Sequence, residues 1–365
     1  MEPISDVAGR TDFVAGVSLS LSGAFGLQGR HALNGIQLWA DHVEREGKIA
    51  LRLIACDDES SAERAQENVL RLLTRERVDL LLGPYSSGLT MAVAPLAEAH
   101  GKILWNHGGA SDAIWERGWR HVVSVPSPAS DYLRTLPQFV KRRDPGARRV
   151  SVLHAKAGSF AACVAAGVAD GAKRAGFDVI RLIPFDSPIR DAQPLIEQAL
   201  AADPDLLVGV GRFEDDVAIV RSRNLLGAVK ILACVGAGLE AFYRDLGDLA
   251  EGVIGPSQWE PDVQHAPLAG PQEQWFCAEF ERAFHQRPGY PAAQAFGVGI
   301  VIIECLRRAG TRADESLLRV AHSLDTTTLY GRFRLDSTTS RQIGHHVLLV
   351  QWRSGRKVVI HDGAS

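Results

Sequence analysis

An alternation of strand and helix that runs to residue 105, stops, and starts over at residue 150 constrains this chain more than any other feature. Residues 13–21 form an apolar run of strand length. Residues 29–46 then carry helical spacing, with Leu33, Ile36, Leu38, Trp39 and Val43 on the inward face. A strand at 49–56, a helix at 62–75, a strand at 78–82, a helix at 90–99 and a strand at 103–105 continue the series. Short buried strands separated by helices are the pattern of βαβ units, whose strands pair in parallel. The second series places strands at 150–154, 179–183, 206–210 and 231–235, with helices at 161–175, 194–201 and 215–226.

Between the two series lies Val122-Val123-Ser124-Val125-Pro126-Ser127-Pro128, extended because a residue before proline avoids the helical region. Residues 254–261 form a second such segment. Helical stretches follow at 273–285 and 291–309, and residues 330–360 read as a β-hairpin closing the second lobe, with a Ser354-Gly355 turn. The expected fold is therefore α/β, with two Rossmann-like parallel-sheet lobes joined by a multi-crossover hinge. Residues 1–125 and 256–330 would build the N-terminal lobe, and residues 126–255 and 331–365 the C-terminal lobe. Two lobes on a hinge imply a cleft, the default place for a small molecule.

Two βα turns stand out within that frame. Gly83-Pro84-Tyr85-Ser86-Ser87 follows one buried strand, and Asn106-His107-Gly108-Gly109-Ala110-Ser111 follows the next. Strand ends and helix starts collect along one edge of a parallel sheet, where free N–H groups favour anions. The pair reads as half of a ligand pocket and not as the seat of a reaction.

Composition narrows the function further. The 365 residues are 46% hydrophobic and 23% charged, with net charge −3 and basic residues spread along the chain. That leaves no electrostatic footprint for nucleic acid. No apolar run approaches the roughly 18 residues of a spanning helix. The start, Met1-Glu2-Pro3-Ile4-Ser5-Asp6, lacks a basic and then apolar signal segment, which fits either a cytosolic protein or a mature form with a new initiator Met. The five cysteines, Cys56, Cys163, Cys234, Cys277 and Cys305, are far apart and read mostly as small buried hydrophobes.

Catalytic and metal motifs fail on inspection. Asn106-His107-Gly108-Gly109 imitates an esterase oxyanion turn, but no G-x-S-x-G pentapeptide accompanies it. Gly236-Ala237-Gly238 imitates a dinucleotide turn without a ribose acid about 20 residues on. No P-loop occurs. His345-His346 reads as a solvated turn, and Asp57-Asp58-Glu59 as the lead into a helix cap. No cofactor, metal or catalytic residue is expected.

The chain resembles the leucine/isoleucine/valine-binding family of solute receptors for ABC importers, which have the type I periplasmic-binding-protein fold. The residues that carry the likeness are Leu21-Ser22-Gly23-Ala24-Phe25-Gly26-Leu27-Gln28-Gly29, Asp57-Asp58, Gly83 to Ser87, His107 to Ser111, and Tyr330-Gly331-Arg332-Phe333-Arg334-Leu335-Asp336. It spans nearly everything from Phe13 to Ile360. The resemblance implies a ligand carboxylate held by the Ser87 hydroxyl and by groups of Gly108 to Ala110. An acidic residue on the other lobe would hold an ammonium group.

Several positions depart from that pattern. The family's Thr in the second turn falls on Ala110, next to Ser111, and its first aromatic falls on Gln28, near Phe25. The acidic clamp falls on Val235 or Gly236, second-lobe aromatics fall on Arg212, beside Phe213, and near Ser159-Phe160, and Cys56 would face Ser86 where the family has a disulfide. Losing one partner of a buried charge pair costs about 2–5 kcal/mol, so an ordinary branched-chain amino acid is a poor guest. Arg212, Trp105, His107 and Phe160 suit an acid group on a flat or apolar body: an aromatic carboxylate, an amide or another amino-acid derivative. Tyr85, Trp105 and Trp259 can each finish the core or line the pocket, and Tyr290 and Gln294 are outside candidates.

The expected protein is a non-enzymatic receptor, periplasmic or extracellular, that delivers a carboxylate- or amide-bearing solute to a membrane permease. It would act as a monomer or weak dimer. The alternative is a cytosolic ligand sensor of the amide-responsive type. A DNA-binding variant finds no room in the dozen residues ahead of the first strand.

Overall fold

The computed structural model describes residues 12–47, 50–227, 229–261, 263 and 265–363; the start of the chain, on which the reading of a missing signal segment rests, lies outside them. The chain opens with β1 (Asp12–Leu19), α1 (Gly26–Gly47), β2 (Ala50–Asp57), α2 (Ala62–Thr74), β3 (Leu80–Leu82), α3 (Ser87–Ala99), β4 (Leu104–Asn106), α4 (Ala113–Glu116) and β5 (Val122–Ser124). It continues with α5 (Leu136–Arg143), β6 (Arg149–Ala155), α6 (Ser159–Arg174), β7 (Val179–Phe185), α7 (Gln193–Leu200), β8 (Leu206–Val210), α8 (Phe213–Arg221), β9 (Ile231–Cys234), α9 (Glu240–Leu246) and β10 (Ile254–Ser257). It closes with α10 (Glu273–Phe284), α11 (Tyr290–Ala309), α12 (Asp314–Ser323), β11 (Asp325–Thr328), β12 (Gly331–Arg334), β13 (Leu348–Arg353) and β14 (Arg356–His361).

Unit 1 comprises the described residues of Met1–Pro126 and Gln264–His345. Its sheet has the order β2-β1-β3-β4-β5, all parallel. All three residues of β3 are buried, as expected for a strand covered by helices on both faces. On α2, Ala65, Val69 and Leu72 form a buried stripe at helical spacing, and the Ser61 side chain accepts the N–H of Arg64 at the helix start. Each buried aliphatic side chain of this kind contributes about 1.5–3 kcal/mol. α1 packs on α11 at short range: a Cβ on Gly35 would lie 2.2 Å from the carbonyl oxygen of Ala292, so only glycine permits the approach.

Unit 2 comprises the described residues of Ser127–Val263 and His346–Ser365. Its seven strands run β14-β13-β10-β9-β8-β6-β7. β6 to β10 pair in parallel, whereas β13 joins β10, and β14 joins β13, antiparallel. The terminal β13–β14 hairpin turns at Ser354-Gly355 as the sequence placed it, but only residues 348–361 of the expected 330–360 form it.

Two crossings between units fall later than the sequence suggested, and strand pairing explains both. Residues 256–263 belong to unit 2 because β10 is a strand of its sheet. Residues 331–345 belong to unit 1, because β12 pairs with β11 in a separate ribbon and the Gln342 side chain donates to the carbonyl of Val125 at 3.1 Å. His345, expected in a solvated turn, is instead buried: its ring stacks on Tyr330, 4.4 Å between centroids, and Nε2 lies 3.1 Å from the Tyr330 carbonyl. Only His346 is exposed. Among the described residues no helix is long and apolar enough to cross a membrane.

Candidate functional site

In unit 1 the turn after β3 carries stored strain at the head of α3. Ser86 has φ 106° and ψ 149°, backbone space that is essentially reserved for glycine and costs of order 1–3 kcal/mol. Its side chain caps the helix, accepting the N–H of Leu89 at 3.3 Å. The next residue, Ser87, is turned inward. The buried Ser87 Oγ accepts the N–H groups of Ala110 at 3.1 Å and Ser111 at 2.9 Å. Both lone pairs of that oxygen are taken, so what the hydroxyl offers is its proton. A donor at a helix N-terminus suits an anion.

The turn after β4 is organised by Asn106, which is fully buried. Its Oδ1 accepts the N–H of Gly109 at 2.7 Å and of Gly108 at 3.2 Å, and its Nδ2 donates to the Gly109 carbonyl at 2.7 Å and to Ser124 Oγ at 2.8 Å. The N–H groups of Gly108, Gly109, Ala110 and Ser111 therefore all turn inward onto Asn106 or Ser87. These N–H groups build the turn, and Asn106 is its scaffold. His107 is buried with neither ring nitrogen in a well-formed hydrogen bond. Burial pushes its imidazole down to about 4, with the Gly83 backbone pulling weakly the other way. It is neutral at physiological pH.

Aromatic side chains stand around these turns. Phe25 and Tyr85 lie 6.5 Å apart, both half-buried, and the Tyr85 hydroxyl meets that of Tyr290 at 3.0 Å. Gly108 is a glycine because a Cβ there would lie 2.7 Å from Tyr85 Cα. Gln28 is half-buried on α1, its Oε1 buried without a hydrogen bond, and Trp105 is interior at 1% exposure.

In unit 2, Ser159 and Phe160 open α6, and Phe160 meets Tyr132 edge-on at 5.2 Å. The Tyr132 hydroxyl accepts from Gln258 Nε2, which also donates to the Ser127 carbonyl. Trp259 is buried at 1% exposure in the segment after β10. Arg212 is exposed at the start of α8, and Phe213 meets Phe242 edge-on at 6.5 Å. Their loop is held from behind by Asp215, which accepts from the Arg212 N–H at 2.9 Å, the Ile189 N–H at 2.7 Å and Ser187 Oγ at 2.6 Å. Gly236 is buried and gives its N–H to Asp216 Oδ2 at 2.7 Å. The rest of that turn is pinned by Trp352 Nε1 on the Ala237 carbonyl and Lys357 Nζ on the Gly238 carbonyl, both at 2.9 Å. Lys357 is itself buried in an ion pair with Glu260 at 2.7 Å.

Reading the sequence missed Asp215, Asp216, Gln258 and Lys357. The run Glu214-Asp215-Asp216 at a helix start was the one available signal, and alone it reads as ordinary dipole compensation. Among the described residues no group of three or more His, Cys, Asp or Glu could hold a metal ion.

A family model described as periplasmic binding protein matches residues 14–357. The Leu/Ile/Val-binding protein homolog 7 of Brucella abortus (strain 2308) is 21% identical over 374 residues, covering 97% of this chain and 92% of its own. The leucine binding protein LivK of Thermotoga maritima MSB8 superposes with a TM-score of 0.82 at 18% identity, over 95% of this chain and 97% of that one. A solute binding protein of an ABC transporter from R. palustris, solved with benzoate, also reaches 0.82 at 18% identity, over 97% and 96%. The matched span, the two α/β units and the strand-end turns agree: the chain belongs to the periplasmic binding protein family.

Proposed function

We propose that this protein is the solute receptor of an ABC importer, working in the periplasm or outside the cell, and that it takes a small organic ligand by its acid group. The observation that carries this is Ser87, whose hydroxyl is left with only its proton to give at the N-terminus of α3. Unit 2 would add Phe160, Arg212 and Phe213. Contacts from both units then supply the differential affinity that selects the ligand-held state. Its partner would be a membrane permease.

The favoured ligand class is an aromatic or other non-zwitterionic carboxylate. Where relatives of the amino-acid-binding kind are expected to carry an acid for the ammonium group, this chain has Val235-Gly236, and the nearby carboxyls of Asp215 and Asp216 are occupied by N–H donors. The benzoate complex of the R. palustris protein supports that class, and LivK supports the amino-acid alternative. The cytosolic-sensor alternative has no observation of its own in its favour.

Calorimetric titration with benzoate, hydroxybenzoates, leucine and isoleucine tests the reading. Aromatic acids should bind and leucine should not. Ser87→Ala should weaken binding about tenfold to a hundredfold, the worth of one hydrogen bond to a charged group. Tight leucine binding without any aromatic acid would overturn the ligand class, and an unaffected Ser87→Ala would overturn the anchor.

A further inference from the structure

Unit 2 contains a fully buried carboxyl that ligand capture as proposed above leaves unused. Asp216 stands in the first turns of α8 at 0% exposure. Its Oδ1 accepts the N–H of Gly211 at 3.0 Å, and its Oδ2 accepts the N–H of Gly236 at 2.7 Å. Gly211 belongs to the loop from β8 into α8, and Gly236 to the turn after β9. Two strand-end loops therefore close on the two oxygens of one group. Space around it is tight: a Cβ on Gly209 would lie 3.4 Å from Oδ1, and one on Gly236 would lie 3.3 Å from Oδ2.

The titratable groups facing Asp216 are Asp215 and Glu214 on its own helix and the Cys234 thiol on β9, itself pushed up by burial. Gly209 of β8, Gly211 and Gly236 bring only backbone. A carboxylate accepts at both oxygens. A carboxylic acid carries a proton on one of them, and that oxygen, now a hydroxyl, is a much weaker acceptor for its N–H.

We infer that Asp216 is a positioning residue: its carboxylate locks the loop bearing Arg212 and Phe213 to the turn bearing Gly236, and proton uptake weakens its hold on one of the two. Burial raises the acid, the N–H bonds of Gly236 and Gly211 pull it down, Asp215 and Glu214 push it up, and the balance lies at about 8. The acid form therefore predominates at neutral pH and the carboxylate above about 8. The coupling of the loops stands by itself, whereas its consequence for a ligand rests on the function proposed above.

The experiment follows the amide signals of the ligand-free, glycine-selectively 15N-labelled protein from about pH 6 to about pH 10. Gly211 and Gly236 should titrate together with one midpoint near 8, and Asp216→Asn should abolish the titration in both. Signals that do not move, that move with separate midpoints, or that still titrate in Asp216→Asn would overturn the inference. Should that variant not fold, Glu214→Gln removes an exposed neighbouring charge and must lower the shared midpoint by a few tenths. Benzoate serves as ligand probe. It should bind at least about threefold more tightly at pH 9 than at pH 6.5 in the native chain, and equally at both in Asp216→Asn. Benzoate that fails to bind counts against the aromatic-acid reading, and the amide titration still decides the role of Asp216.

Discussion

Both units hold their strand-end loops from behind with buried polar side chains, yet the holding groups differ in charge. In unit 1 the hub is the neutral Asn106, which accepts from two N–H groups and donates to two oxygens, helped by the Ser87 hydroxyl. In unit 2 the hubs are Asp215 and Asp216, which only accept. A neutral amide needs donors and acceptors around it and is indifferent to pH. A carboxylate gathers N–H groups only, and brings a charge that burial penalises and a proton equilibrium with it. The same task is thus done by a fixed device in one unit and a titrating one in the other.

Exchanging the hubs is the strongest way to break this comparison. Asn106→Asp removes the donors to Gly109 and Ser124 and buries a charge, and should cost about 3–5 kcal/mol at neutral pH. The reverse exchange, Asp216→Asn, keeps one acceptor and should cost only about 1–2 kcal/mol. Denaturant unfolding of each variant measures the gap, and equal losses would erase the distinction.

A smaller effect appears in the pH dependence of stability. Asp216 binds its proton more tightly folded than unfolded, so its stabilisation is full below about 4 and is lost as pH rises toward about 8. His107, held down to about 4 by burial, acts the other way: stability falls as pH drops from 6.5 to about 4. The slopes oppose each other across the acidic range, and above it the Asp216 slope stands alone. Thermal scans should show Asp216→Asn flattening the upper limb and His107→Leu tilting the lower one, so that stability falls steadily as pH rises from about 4. An upper limb unchanged in Asp216→Asn would mean that some other group titrates there.

The smallest expected effect sharpens the picture of unit 1. Ser86→Gly relieves the backbone at φ 106° and forgoes a cap worth only a few tenths relative to glycine. It should raise stability by about 1 kcal/mol, read as a higher Tm. A lower Tm would show that the serine side chain contributes more than the strain costs.

Much of the fold was legible because its signals are local. The strand at 206–210 coincides with β8, and α2, α6 and α11 end within a residue or two of where apolar spacing placed them. The site was legible only as two turns. That Gly108 to Ser111 send their N–H groups inward depends on Asn106 sharing a register with Ser124 across the β4–β5 pair. Asp216 looks on paper like any acid at a helix start.

Periodicity and turn chemistry act over a few residues, so the sequence by itself determined the α/β class, the doubled series and the Ser86-Ser87 helix start. Tertiary structure decided the rest. β10 drew residues 256–263 into unit 2, β12 kept 331–345 in unit 1, and burial made one asparagine and one aspartate into hubs. Those outcomes rest on which backbone N–H groups meet a side chain from distant strands, and on the water excluded around it, neither of which is written in neighbouring residues.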